Sequence, residues 1–125
     1  MMYDTDVLIW FVRGSEKAAR VIEKDGEKSI SVQSYMELLQ GAHDRTEQEH
    51  LKDFIFTHDF AVLPLTENVG HRALVYVEEY ALSSGMRSAD ALIAATAVEN
   101  NAVLCTGKSR HFKAIRDLRL KAFRA

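Results

Sequence analysis

The sequence predicts an α/β domain built on a mostly parallel sheet of four or five strands, with helices covering both faces. Two observations predict it. Short apolar runs bounded by polar residues alternate with longer segments of helical periodicity, the pattern of parallel strands joined by helical crossovers. The chain also has the length and balance of one domain: 125 residues, 47 % apolar and 27 % charged, with one Pro, no internal repeat and no linker-like stretch.

Taken in order, Met1–Tyr3 reads as the first buried strand, followed by helices over Val7–Val12 and Glu16–Lys24. Ser29–Val32 reads as the second strand, and Gln33–Ala42 and Gln48–Phe56 as the next two helices. Phe60–Leu63 reads as a third buried strand. Glu67–Ser84 is a long helix with Gly85 placed as its terminating glycine. In Ala89–Asn100, residues Ala89, Leu92, Ile93, Thr96 and Ala97 recur at helical spacing. Ser88 is placed to cap that helix and Asn100-Asn101 to stop it. Val103–Cys105 reads as the fourth buried strand, and a short edge strand is expected near Leu118–Leu120.

No apolar run approaches the roughly 20 residues that span a bilayer, and no basic segment followed by an apolar stretch marks a secretory leader. Cys105 is alone, which excludes an internal disulfide and fits a reducing cytoplasm. The net charge of −2 conceals an asymmetry. Residues 107–125 hold seven basic residues against one acid, Asp117, a formal +6 that leaves −8 on the rest of the chain. Such a segment suits a phosphate backbone, and equally suits a solvated surface.

Three acids stand where chemistry is expected. Asp4 follows the first strand directly, and open α/β sheets bind ligands beyond the carboxyl ends of their strands; it also suits an N-cap. Glu37 follows the second strand. Ser34-Tyr35-Met36-Glu37 fits a capping box, whereas a helix starting near Val32 makes Glu37 interior. Asp90 sits in the first turn of its helix, where the helix dipole favours a carboxylate.

The settings of these acids carry a resemblance. Tyr-Asp-Thr-Asp-Val-Leu-Ile-Trp (3–10), Tyr-Met-Glu-Leu-Leu-Gln-Gly-Ala (35–42) and Ser-Ala-Asp-Ala-Leu-Ile-Ala-Ala-Thr-Ala (88–97) resemble, in that order, the three acidic motifs of PIN-domain ribonucleases. The likeness is strongest to the VapC-type toxins of toxin–antitoxin pairs. Leu104-Cys105-Thr106 with His111-Phe112 resembles that family's last motif, and the resemblance spans about residues 1 to 120. It implies a three-layer α/β/α sandwich in which Asp4, Glu37 and Asp90 converge to hold Mg²⁺ or Mn²⁺ and catalyse RNA hydrolysis. Three carboxylates in one pocket raise each other's pKa values. A bound divalent cation removes that penalty, lowers the pKa of water and polarises a phosphoryl oxygen. By the same resemblance Thr5, Asp6 and Thr106 act behind the ligands, and the expected partners are a cognate antitoxin, an RNA substrate and a second copy of the chain. A PIN-like module that binds RNA or protein without cleaving it is the alternative.

The family's fourth motif usually carries Asp or Asn two residues after its Thr; here that residue is Lys108, and no acid occurs between Cys105 and Arg116. The expectation is therefore one metal ion, with Lys108 and Arg110 contacting substrate phosphate.

Other patterns fail on specific residues. Thr106-Gly107-Lys108-Ser109 resembles the end of a P-loop, but Ala102 stands where the first glycine is required. A response-regulator receiver needs an acid at the end of the third strand, where Pro64 and Leu65 stand. His43, His50, His58 and His71 show no metal-ligand pairing and read as surface residues. Cys105 reads as a buried strand residue with no base to activate it. Trp10 and Phe11 read as core or partner-contact residues.

Overall fold

A computed structural model describes residues 1–125. Five parallel strands form one sheet in the order β3-β2-β1-β4-β5: β1 (Met2–Tyr3), β2 (Ser29–Ser31), β3 (Ala61–Leu63), β4 (Leu104–Thr106) and β5 (Leu120–Ala122). Helices α1 (Thr5–Val12) and α2 (Glu16–Glu23) join β1 to β2, and α3 (Val32–Gln40) and α4 (Arg45–Thr57) join β2 to β3. Helices α5 (Glu67–Ser84) and α6 (Ser88–Glu99) carry the chain back across the sheet to β4, and the short α7 (Ser109–Phe112) precedes β5.

The sheet divides two cores because successive strand residues point to opposite faces. Met2 and Leu104, paired across β1 and β4, pack with Val69, Ala73 and Tyr76 of α5 and with the inner face of α6. Tyr3 and Cys105, the next pair, pack on the other side with Val7, Leu8 and Phe11 of α1 and Ile22 of α2. The result is the α/β/α sandwich expected from the sequence, with a fully parallel sheet.

Several local expectations change. Ser88 is the first residue of α6, not its cap; Arg87 occupies the cap position and no side chain bonds the free amides there. Strand β3 is not buried: Ala61 and Val62 are exposed, because the strand lies at the sheet edge. The last strand runs over Leu120–Ala122 rather than Leu118–Leu120, and Leu118 packs into the α5–α6 core instead. Helix α4 starts at Arg45, earlier than the apolar pattern suggested, because Asp44 accepts from the Glu47 amide at 2.8 Å and caps a wholly polar first turn. The box from Ser34 to Glu37 does not form. Ser31 is the N-cap of α3 and its hydroxyl accepts from the Ser34 amide at 2.9 Å, which leaves Glu37 interior to the helix. His58 is half-buried, its ring edge-on to Phe11 and tilted against Phe54. Gly85 does close α5, at φ 70°, the left-handed conformation in which a Cβ is disfavoured.

Candidate functional site

The chain builds outward from β1 through β2 to β3, then crosses to the other side of β1 to place β4 and β5. The reversal falls between β1 and β4, and the carboxyl ends of these two strands border the crevice where open α/β sheets bind ligands. Asp4 leaves the end of β1 in extended conformation (φ −70°, ψ 157°) and caps α1. Thr106 ends β4. The parallel register that sets Tyr3 beside Cys105 brings the next two residues, Asp4 and Thr106, side by side.

Asp4 is fully buried. Its Oδ1 accepts from the Thr5 amide at 2.8 Å, and its Oδ2 accepts from the Thr106 hydroxyl at 2.7 Å. Thr106 in turn accepts from the Lys108 amide at 2.9 Å, which curls the chain after β4 back toward Asp4. Asp90, in the first turn of α6, is also buried. The Lys108 ammonium lies between the two acids, 3.3 Å from Asp90 Oδ1 and 3.9 Å from Asp4 Oδ2.

Glu37 enters by another route. The helix start at Ser31 turns it toward α1, where Thr5 donates its hydroxyl to Glu37 Oε1 at 2.8 Å. Thr5 therefore spans the two acids, its amide on Asp4 and its hydroxyl on Glu37. Asp6 accepts from the Gly107 amide at 3.0 Å, pinning the turn that carries Lys108. Residues two apart on a helix point apart, but Asp4 precedes α1 as its cap, so both acids reach the β4–α7 turn. Arg110 is exposed and lines, with Lys108, Ser109, His111 and Arg124, a small cavity. A larger cavity, between α5 and the segment after α7, includes none of these residues.

Burial raises the Asp4 pKa above the ordinary carboxylate value, although Lys108 and the Thr106 hydroxyl oppose the shift. Asp6 is raised as well, again chiefly by burial and against its bonds to the Val7 and Gly107 amides. Burial works against the Lys108 ammonium, but Asp4 and Asp90 outweigh it and hold its pKa above the usual lysine value. A buried anionic site thus recruits a cation from its own chain.

The sequence expectation was one pocket holding Asp4, Glu37 and Asp90 together. The structure brings Asp4 and Asp90 to one cationic atom and Glu37 to Thr5, and no three acidic, His or Cys side chains form a group that could hold a metal ion. The donor chemistry nevertheless fits a hard cation, because carboxylate oxygens suit Mg²⁺ or Mn²⁺ and a positive charge already sits between Asp4 and Asp90. What sequence reasoning missed is that Lys108 pairs with these acids, because the pairing depends on β4 lying beside β1. Cys105, buried in β4 with its thiol pushed up to about 11 chiefly by burial, has no part in the site. Phe11 is a core residue, whereas Trp10 is exposed.

Comparison with known proteins agrees with this fold. The family model described as PIN domain matches residues 1–118. Among solved structures, the chain is similar to VapBC2 from Rickettsia felis bound to a DNA fragment from their promoter (TM-score 0.84, 20 % identity, covering 98 % of each chain). It is also similar to VapBC-1 from nontypeable Haemophilus influenzae (TM-score 0.76, 26 % identity, 97 % of this chain and 96 % of that one). A third likeness is to a toxin-antitoxin complex from Klebsiella pneumoniae (TM-score 0.79, 23 % identity, 94 % and 93 %). No curated protein sequence matches the chain.

Proposed function

The chain belongs to the PIN domain family, and we propose that it is a metal-dependent endoribonuclease, the toxin of a toxin–antitoxin pair. One observation carries the reading. Two buried carboxylates from separate parts of the chain, Asp4 after β1 and Asp90 in α6, converge on a single positive charge at the sheet's switch point. Burying two carboxylates together is costly, and a cation placed on both offsets that cost while keeping them ionised.

In this reading Asp4 and Asp90 hold Mg²⁺ or Mn²⁺, and Glu37 adds its carboxylate from the α3 side. When bound, the metal supplies a Lewis acid for the scissile phosphodiester and acidifies water. Thr106 and the Thr5 amide fix the Asp4 carboxylate in one orientation, and the Thr5 hydroxyl fixes Glu37. Asp6 holds the β4–α7 turn in place. Lys108, Arg110 and Arg124, which line one small cavity, receive the RNA backbone. The partner is a cognate antitoxin protein, since the structurally similar proteins are described as VapBC and toxin-antitoxin complexes. The toxin pairs with a second copy of itself. No helix is long and apolar enough to cross a membrane.

A second reading also has an observation behind it. With Lys108 already on Asp4 and Asp90, the chain is a PIN-like module that binds RNA or protein without cleaving it. The two separate when the purified, antitoxin-free protein is given structured cellular RNAs with Mg²⁺ or Mn²⁺ or with EDTA. Discrete cuts that need metal and vanish in Asp90→Asn support the nuclease. RNA retained but uncut under every condition supports the module.

A further inference from the structure

We propose that Lys108 is a tethered competitor for the metal: its ammonium and the divalent cation are mutually exclusive partners of Asp4 and Asp90. The inference rests on the metal-dependent reading above and concerns how that site is loaded.

The ammonium sits 3.3 Å from one acid and 3.9 Å from the other, so it occupies the space between them that a shared cation must use. The two acids are nearly sealed, with side chains 0 % and 11 % exposed, whereas the Lys108 side chain is 39 % exposed. The acids are therefore fixed and the lysine stem has an open path outward. Its backbone stays anchored meanwhile, because the Lys108 amide bonds Thr106 and the preceding Gly107 amide bonds Asp6. Charge enforces the exclusivity. An ammonium that stayed 3.3 and 3.9 Å from the two carboxylates would lie within a few ångströms of a cation bound to both, and would meet like charge in a partly buried site.

Mn²⁺ binding by isothermal titration calorimetry tests this without any cleavage assay. Lys108→Met is expected to bind Mn²⁺ at least tenfold more tightly than wild type, and to lose binding when Asp90→Asn is added. Arg110→Met removes an equal charge from outside the pair and is expected to change the affinity less than threefold. Lys108 in the wild type is expected to react faster with an amine-acylating reagent once Mn²⁺ is added, as read by peptide mass spectrometry; this second readout does not depend on the folding of any variant. Equal, Asp90-dependent affinity in wild type and Lys108→Met, or an acylation rate that ignores Mn²⁺, overturns the competition and leaves the metal site standing. Absence of Mn²⁺ binding in both proteins overturns the competition and the metal-dependent reading together.

Discussion

The Asp25 carboxylate accepts from the Met1 amino group at 2.8 Å, the Tyr3 hydroxyl at 2.8 Å and the Glu27 amide at 3.0 Å. Burial works to raise its pKa, but these three donors outweigh burial and hold it below the ordinary carboxylate value. Tyr3 is fully buried in β1, so Asp25→Ala orphans a hydroxyl in the core. The expected cost is about 1–3 kcal/mol, read by urea unfolding. Asp25→Asn isolates the charge. Because the folded pKa is depressed, this carboxylate stabilises the fold above its unfolded value of about 4, and that stability is lost as pH falls through the folded value. The gap between wild type and Asp25→Asn should be widest near neutrality and close in acid; a gap that grows in acid contradicts the assignment. Residue chemistry of this kind is unevenly legible in a sequence. Asp4 and Asp90 stood out because they directly follow a strand and open a helix. Lys108 stood out too, as a phosphate contact, but its pairing with these acids did not, since a long side chain can point many ways and the Thr106 and Asp6 contacts to its turn set its direction.

At the scale of elements, the free start of α6 offers a gain. Arg87 has the extended backbone of an N-cap, φ −95° and ψ 154°, but no side-chain bond to the helix amides. Arg87→Ser is expected to stabilise the protein by about 1 kcal/mol, seen as a higher thermal midpoint. The β4–α7 turn is the opposite case. A Cβ at Gly107 lies 2.6 Å from Asp6 Oδ2, the atom that accepts the Gly107 amide. Gly107→Ala should therefore push Asp6 away and cost about 1 kcal/mol, and the loss should shrink in an Asp6→Ala background; additive effects would disprove the coupling. The positions of most elements were legible because apolar periodicity marks them. The start of α4 was not, because Arg45, Thr46 and Glu47 carry no apolar signal and only the Asp44 cap defines it. Helix α7 escaped for a similar reason: four residues are too few to show a period.

The whole molecule is two cores on one thin sheet, with strands of two or three residues. Cys105 lies in β4, an interior strand, fully buried, with its thiol raised to about 11 chiefly by burial. Its modification by a disulfide reagent should therefore require global unfolding; a rate that tracks urea unfolding is expected, and fast reaction of the native protein would contradict this packing. Strand order decides the site at this scale. The alternation of strands and helices gave the fold class, but it does not say that β4 lies beside β1, and that adjacency sets Lys108 against Asp4 and Asp90. The exposure of β3 was hidden for the same reason, since an apolar run reads alike at a sheet's edge and its centre.

The most direct test of a cation position shared by Asp4 and Asp90 is anomalous X-ray scattering from a crystal soaked in Mn²⁺. The expected result is one strong peak between the two carboxylates, with the Lys108 ammonium moved away from them. No peak there, with Lys108 still paired to both acids, would contradict it.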